Sequence, residues 1–279
     1  MVNRKLFVHE GSTHHKVSLR KIYNIKLKEL NAFFADLYGY EKFPVKTVFV
    51  CGCGHSGTSL LFGKLSRHKH SIAFNYETGI FKSTSTLRKA SYKLHDLNLS
   101  AQQSKENFVL EKTPKHIHTY KRISKVCENF KFIIIQRNPL DTIASMYKRF
   151  GDLEYPMQRY LIDNRQIDYL KTKQNVCIVK YEELVSETRN QFLKLFNFLE
   201  IKSQFDILEK GPSVYNSNLD LHNNMILRKK QVQNQIEINI NTWRDKITIQ
   251  QANKIVQNTS MITNELGYLY DSNLNLIKW

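Results

Sequence analysis

Short apolar runs alternate with amphipathic segments along most of this 279-residue chain. Runs rich in β-branched and aromatic residues predict buried strands at 45–50, 71–76, 108–110, 132–135 and 176–179. Between them, apolar residues recur at helical spacing, which predicts helices at 21–40, 58–65, 83–103, 116–130, 140–149, 157–171, 181–199 and 248–266. This alternation predicts an α/β fold with a doubly wound, mainly parallel sheet flanked by helices.

Neither a repeat nor a break in composition divides the chain after residue 45. We therefore expect a single domain over residues 1–279, in which 1–44 form an N-terminal extension with one helix and 45–279 form the core. Residues 211–240 show little periodicity and many Asn, Lys and Gln residues, which predicts a long surface loop. Long loops of this kind often carry binding residues.

The chain is strongly basic, with 42 Lys and Arg residues against 25 Asp and Glu residues and a net charge of +17. Such a charge favours anionic partners, such as nucleotides, anionic glycans or acidic peptides. The cations are spread along the chain, so a solvated basic surface is the alternative interpretation. Because no nucleic-acid-binding signature accompanies the charge, we expect no nucleic-acid partner.

The four cysteines, Cys51, Cys53, Cys127 and Cys177, do not form the pattern of a disulfide framework. We expect reduced thiols and a reducing compartment. No second Cys/His pair has ligand spacing, so no metal site is expected. The sequence shows neither an apolar signal-peptide core nor an apolar run long enough to span a membrane, which predicts a cytoplasmic protein.

Residues 52–59 read Gly-Cys-Gly-His-Ser-Gly-Thr-Ser, directly after the first core strand and before an apolar helix. Glycines there permit unusual backbone angles and the close approach of a phosphate to the backbone N–H groups at the helix start. The glycine spacing is that of the nucleoside triphosphatase loop, but Thr58 stands where that loop has its lysine. The loop therefore predicts a phosphate site that differs from the usual ATP site, whereas an ordinary tight turn is the alternative.

Two further segments follow buried strands. Arg137 comes at the end of the strand at 132–135, where open α/β sheets bind ligands, and Ser145 and Arg149 share one face of the next helix. Arginine and serine together suit a phosphate monoester. The alternative for Arg137 is a surface arginine paired with Asp141. In the second segment, Lys112 follows the strand at 108–110 and opens a Lys-Thr-Pro turn.

With these motifs in place, the sequence resembles sulfotransferases that use 3′-phosphoadenosine 5′-phosphosulfate (PAPS) and release 3′-phosphoadenosine 5′-phosphate (PAP). The resemblance covers roughly residues 45–243 and is closer to tyrosylprotein-type and bacterial enzymes than to cytosolic aryl enzymes. It rests on the loop at 52–59, the Lys-Thr-Pro turn at 112–114, the Arg-Asn-Pro segment at 137–145, the Tyr-Glu-Glu-Leu-Val segment at 181–185 and the Trp-Arg pair at 243–244.

The resemblance implies a P-loop-like fold and sulfuryl transfer without a metal. It implies that the loop holds the 5′-phosphosulfate and that residues of the next segments hold the 3′-phosphate and adenine. The implied cofactor-binding residues are Gly54, His55, Ser56, Gly57, Thr58, Ser59, Arg137, Ser145, Arg149 and Tyr181. Further contacts are expected from Arg228, Lys229 or Lys230 in the loop at 211–240.

For catalysis, the resemblance implies that Glu77 is the base and that Lys112 contacts the transferring group. His116, after the Lys-Thr-Pro turn, is the rival base. His55 is counted with the catalytic residues and departs from the family, which commonly has Arg or Lys there. A protonated imidazole would restore that charge, so transfer is expected to slow as the pH rises and His55 loses its proton.

The acceptor is expected to be a hydroxyl or amine on a glycan, a peptide or a small molecule, and the sequence does not fix the oligomeric state. Two other functions stay open. A P-loop small-molecule kinase would bind ATP and need magnesium, but the missing Gly-Lys-Ser/Thr ending argues against it. A non-enzymatic basic module would bind anionic glycans and would not respond to PAP.

Overall fold

Five parallel strands form the central sheet of the computed structural model, which describes residues 19–96, 106–212 and 233–279. The strands are β1 (Thr47–Gly52), β2 (Ser71–Ala73), β3 (Phe108–Lys112), β4 (Phe130–Gln136) and β5 (Val176–Lys180). Their order is β2-β3-β1-β4-β5, so β1 is central and the chain winds first to one side of it and then to the other. The predicted doubly wound parallel sheet is confirmed.

Helices cover both faces of this sheet. Within the described residues they are α1 (Leu19–Asp36), α2 (Thr58–Leu65), α3 (Leu87–Asp96), α4 (Tyr120–Val126), α5 (Pro139–Phe150), α6 (Glu154–Leu170), α7 (Tyr181–Ser186), α8 (Thr188–Leu199) and α9 (Ile249–Glu265). Short 3₁₀ turns lie at Pro114–His118, Phe205–Leu208 and Thr242–Asp245, and a small hairpin of β6 (Leu269–Tyr270) and β7 (Leu276–Lys278) follows α9. None of the described helices is long and apolar enough to cross a bilayer.

The three central strands, β1, β3 and β4, bury both of their faces, which explains their apolar runs. Along β1, Phe49 and Cys51 pack into one layer of the core, and Val48 and Val50 pack into the layer on the opposite face. This is the two-residue period of a strand. The sheet is therefore a rigid support whose strand ends can fix functional side chains.

Two predicted helices end or break earlier than the sequence pattern suggests. The helix predicted at 116–130 is instead a 3₁₀ turn followed by α4, because Cys127 is extended and β4 already begins at Phe130. The helix predicted at 181–199 is split into α7 and α8 at Glu187, whose backbone is not helical. In both segments apolar residues continue at helical spacing across the break, so the sequence pattern does not show where the first helix ends.

Parts of several predicted segments lie outside the described residues. These are residues 97–103 of the predicted helix at 83–103, most of the predicted loop at 211–240, and residues 1–18 of the N-terminal extension. Arg228, Lys229 and Lys230, expected to contact the nucleotide, also lie outside them.

Candidate functional site

The carboxyl ends of the central strands meet at one edge of the sheet. In the strand register Val50 pairs with Lys112 and Gly52 with Ile135, so the residues that follow β1, β3 and β4 lie close together. A cavity of about 880 Å³ opens at this edge. Of the predicted site residues, those that line it are Gly54, His55, Gly57, Thr58, Ser59, Glu77, Arg137, Ser145, Arg149 and Tyr181.

The loop at 52–59 passes tightly between β4 and α7. A Cβ atom on Gly52 would lie 2.4 Å from the Ile135 carbonyl oxygen, and one on Gly57 would lie 2.5 Å from the Tyr181 ring. Both glycines also have positive φ angles, +144° and +104°. Other residues would clash or be strained at both positions, so the loop needs glycine there. Gly57 is the residue before α2, whose first residues line the cavity.

Two residues of the loop, Gly54 and Ser56, have surroundings that the sequence pattern does not indicate. Gly54 has no positive φ and an open surrounding, whereas the neighbouring His55 takes the left-handed conformation, with φ of +68°. Ser56, for which the resemblance implies a cofactor contact, is 1% exposed and does not line the cavity. Its hydroxyl donates a 2.7 Å hydrogen bond to the Cys53 carbonyl oxygen, so it closes the turn.

Arg137 follows β4 and is nearly buried, with 9% of the residue exposed. Its guanidinium carbon lies 4.1 Å from the Tyr181 ring centroid, and its Nη2 donates a 2.6 Å hydrogen bond to the Asn239 carbonyl oxygen. The expected alternative contact is also present, because Nη2 lies 3.6 Å from an Asp141 carboxylate oxygen. The buried Nε has no hydrogen-bond partner among the described residues. A fixed guanidinium with an unused buried donor suits an anionic ligand.

Asp141 ties the C-terminal part of the chain to this arginine. Its carboxylate accepts hydrogen bonds from the backbone N–H groups of Asn241 and Trp243, each at 3.0 Å, and from the Asn138 side chain at 2.9 Å. The Trp243 side chain is buried in the core. Sequence reasoning considered Asp141 only as a partner of Arg137, so it missed this anchoring role.

His55 and Ser145 come together on the wall of the cavity beside Arg137. The His55 Nδ1 lies 3.0 Å from the Ser145 Oγ, and the His55 carbonyl oxygen accepts a 3.4 Å hydrogen bond from Arg137. Arg149, one turn after Ser145 on α5, lines the same cavity. The structure therefore brings together the residues for which the sequence predicts a 3′-phosphate site.

Glu77 and Lys112 form a pair at the end of β3. The Lys112 Nζ lies 2.5 Å from a Glu77 carboxylate oxygen. The lysine side chain is 1% exposed and does not line the cavity, whereas the Glu77 side chain is 31% exposed and does. The carboxylate therefore faces the cavity, and the ammonium group paired with it is buried.

A buried carboxylate holds the loop that carries Glu77. Glu111, fully buried on β3, accepts hydrogen bonds from the Thr78 hydroxyl at 2.7 Å, the Thr78 N–H at 3.2 Å and the Thr113 hydroxyl at 2.6 Å. Burial opposes ionisation, but His116 and these donors outweigh it and hold the pKa of Glu111 below its ordinary value. Sequence reasoning missed Glu111, although it lies directly before the Lys-Thr-Pro turn.

His116, the rival base, faces the core. It is 1% exposed, does not line the cavity, and packs edge-on against the rings of Phe49 and Phe81. Its Nδ1 lies 2.8 Å from the second carboxylate oxygen of Glu111. The imidazole is therefore a partner of the buried carboxylate, and of the two candidate bases only Glu77 reaches the cavity.

Five cationic side chains that the sequence motifs do not include also line the cavity. They are Lys82, Lys115, Lys148, Arg159 and Lys246. The buried Asp163 carboxylate fixes Arg159 on α6 and lies 2.6 Å from His118 Nε2. Arg159 is separated from the predicted motifs in sequence, so only the packing of α6 reveals its place.

A buried lysine, Lys64, holds the segment around Asn234 that forms one wall of the cavity. Lys64 on α2 is fully buried, and its Nζ donates hydrogen bonds to the carbonyl oxygens of Glu209 at 2.9 Å and Asn234 at 2.8 Å. Burial, with a smaller effect of Arg67, lowers the pKa of Lys64 to about 8. Asn234 lines the cavity, so this lysine helps to position that wall. No group of His, Cys, Asp and Glu side chains within the described ranges is arranged to hold a metal ion.

Comparison with known proteins supports the predicted resemblance. Residues 83–206 match the model of the sulfotransferase family; this range includes the Lys-Thr-Pro, Arg137 and Tyr181 segments but not the loop at 52–59. The fold is similar to the sulfotransferase domain from the curacin biosynthetic pathway, with a TM-score of 0.54, 15% identity, and coverage of 81% of this chain and 98% of that one. It is also similar to mouse sulfotransferase SULT7A1 complexed with PAP, with a TM-score of 0.52, 14% identity, and coverage of 85% and 91%.

No curated protein sequence matches the chain. At these identities the structural likeness concerns the fold. Together with the family match, it confirms the resemblance to sulfotransferases and supports the predicted class of enzyme.

Proposed function

We propose that this chain, which combines the sulfotransferase fold with a match to the family model, moves the sulfuryl group of PAPS to a hydroxyl or amine of an acceptor. The observation that carries the proposal is the cluster at the sheet edge. A glycine loop before α2, the buried Arg137 and the His55–Ser145 pair converge on one cavity. The mouse structural neighbour is complexed with PAP, which fits such a site.

On the nucleotide side, we assign the 5′-phosphosulfate to the backbone N–H groups of the loop and to the hydroxyls of Thr58 and Ser59. Arg137, Ser145 and Arg149 would bind the 3′-phosphate, and the Tyr181 ring would pack against the adenine. The unused Nε of Arg137 supports this assignment, because a phosphate oxygen would satisfy it.

On the acceptor side, Glu77 would take the proton of the attacking hydroxyl. Lys112 does not line the cavity, so instead of contacting the transferring group it would hold and orient the Glu77 carboxylate. Sulfuryl transfer, like phosphoryl transfer, depends mainly on positioning and charge stabilisation. Glu111 serves this step indirectly, because its hydrogen bonds hold the loop on which Glu77 lies.

The cations Lys82, Lys115 and Arg159 line the same cavity as Glu77. Such a wall favours an acceptor that carries negative charge, and a glycan or a peptide is the class we propose. Phe150 and Tyr155, whose rings meet edge-to-face with centroids 5.0 Å apart, add an aromatic corner against which a sugar or aromatic ring would pack.

The test is an activity assay with PAPS labelled in the sulfuryl group. The purified chain is incubated with hydroxyl- or amine-bearing acceptors in matched anionic and neutral forms, and labelled product and PAP are measured. We expect transfer that does not need added magnesium and that Arg137→Ala abolishes. Transfer of phosphate from magnesium-bound ATP, with none from PAPS, would instead identify a kinase. Binding of anionic glycans without transfer or PAP binding would identify the non-enzymatic module.

A further inference from the structure

Helix α1 presents an apolar strip to solvent. Residues at helical spacing on one side of the helix are large, hydrophobic and exposed: Tyr23 is 67% exposed, Leu27 44%, Leu30 50%, Phe34 53% and Leu37 68%. Phe33 beside them is 60% exposed. Within the described residues no other element exposes so continuous an apolar face. Exposed patches of this kind mark interaction surfaces.

The opposite side of the helix already has its partners. Ala32 is buried, Glu29 accepts a 2.8 Å hydrogen bond from the Ser83 hydroxyl, and Asp36 accepts a 2.6 Å hydrogen bond from the Leu87 N–H. These contacts fix α1 against the segment that leads into α3. These inner contacts set the orientation of the helix, so the apolar strip on its other side faces solvent.

The acidic and basic side chains of α1 also lie on different parts of the helix surface. Both acidic side chains, Glu29 and Asp36, are engaged on the inner side. Helical spacing places the exposed Arg20 and Lys26 along the two edges of the strip, and the Lys26 Nζ lies 2.6 Å from a Glu29 carboxylate oxygen. The chain as a whole carries a net charge of +17. A second copy brought to this strip would meet like charge, but an anionic surface would be attracted.

We propose that the apolar strip of α1, comprising Tyr23, Leu27, Leu30, Phe33, Phe34 and Leu37, binds an anionic membrane surface. The helix lies along the interface, with its leucine and aromatic side chains at the boundary between headgroups and acyl chains. Arg20 and Lys26, at the edges of the strip, contact the acidic headgroups. A helix with a leucine and aromatic face and basic flanks has the composition of such interfacial helices. This surface is independent of the proposed transfer reaction, because none of its residues lines the cavity.

The test is co-sedimentation of the full chain with vesicles of phosphatidylcholine alone or mixed with phosphatidylserine. We expect binding to the mixed vesicles that weakens as salt is added, because the charge contribution is screened. The double variant Phe33→Ser/Phe34→Ser should bind at least about tenfold more weakly, since each exposed apolar group contributes to insertion. A matched control is Ile249→Ser/Met261→Ser, which removes exposed apolar residues of α9 and should leave binding unchanged.

Because the altered side chains are exposed, both variants should keep the melting temperature of the unaltered chain. A second variant, Leu37→Ser, lies just after the helix and tests the strip if the double variant fails to fold. No binding to mixed vesicles, or equal binding by the strip variants and the control, would overturn the proposal. A dimer in solution that the strip variants dissociate, without vesicle binding, would overturn it in favour of a second copy.

Discussion

The position of Glu77 leads to the sharpest prediction about the reaction. Replacing Glu77 by Gln keeps the size of the side chain and removes its ability to accept a proton. Loss of a general base costs roughly 10²- to 10⁴-fold in rate, or about 2.7 to 5.4 kcal/mol in activation free energy. We expect kcat to fall within this range while the affinity for PAP stays within about twofold, because Glu77 is assigned to the acceptor side.

The matched variant is His116→Gln, which tests the rival base. His116 is buried against Glu111, and removing one partner of a buried pair costs about 3–5 kcal/mol. The glutamine amide can still donate a hydrogen bond to Glu111, so we expect the free energy of unfolding to fall by no more than about 3 kcal/mol. At a temperature where this variant is folded, kcat should stay within about threefold of the unaltered chain.

The assay is steady-state PAP release at saturating PAPS, accompanied by a melting curve and PAP titration for each variant. The reasoning is refuted if folded His116→Gln loses the activity and Glu77→Gln retains it. Loss of PAP affinity in Glu77→Gln would also contradict the assignment, because it would place this carboxylate on the nucleotide side.

Three further predictions concern the support of the site. Because the pKa of Glu111 is lower in the folded chain than its ordinary value of 4.5, its ionised carboxylate stabilises the fold above pH 4.5, and this contribution is lost as the pH falls below 4.5. In Glu111→Gln, the free energy of unfolding measured with urea should therefore depend less on pH in that acidic range. The lowered pKa of Lys64 means that the unfolded chain binds its proton more tightly between pH 8 and 10.5; stability should therefore rise over this window relative to Lys64→Met. Gly57→Ala would clash with Tyr181 at a positive φ, which should cost about 1–3 kcal/mol in thermal unfolding and weaken PAP binding in titration calorimetry.

Much of the fold could be predicted from the sequence because the central strands β1, β3 and β4 are buried on both faces. Residues 132–135, shortly before Arg137, are all apolar, so the sequence predicts both the strand and the edge at which this arginine lies. The glycine pattern likewise predicts a tight loop, although only the structure shows that Gly52 packs against Ile135 and Gly57 against Tyr181. Features set by a single local pattern were therefore predictable.

Features set by distant contacts were not predictable. Asp141 holds residues 241–243, a hundred positions away, and Asp163 fixes Arg159 while contacting His118 in another element. The sequence does not indicate that Glu111 and His116 are buried and in contact, because neither residue belongs to an apolar pattern. The Ser56 hydroxyl points inward through a local contact: it donates its hydrogen bond to the carbonyl oxygen of Cys53, three residues earlier, and the sequence motif does not reveal this choice of partner.

The central claim is that the cavity binds a PAPS-type nucleotide, and thermal unfolding with PAP tests it most directly. A ligand at 100 times its dissociation constant stabilises the folded chain by about 2.7 kcal/mol. We predict that PAP raises the melting temperature, that ATP with magnesium does not, and that Arg137→Ala removes the shift caused by PAP. A shift with ATP and magnesium but none with PAP, or an unchanged PAP shift in Arg137→Ala, would contradict the account.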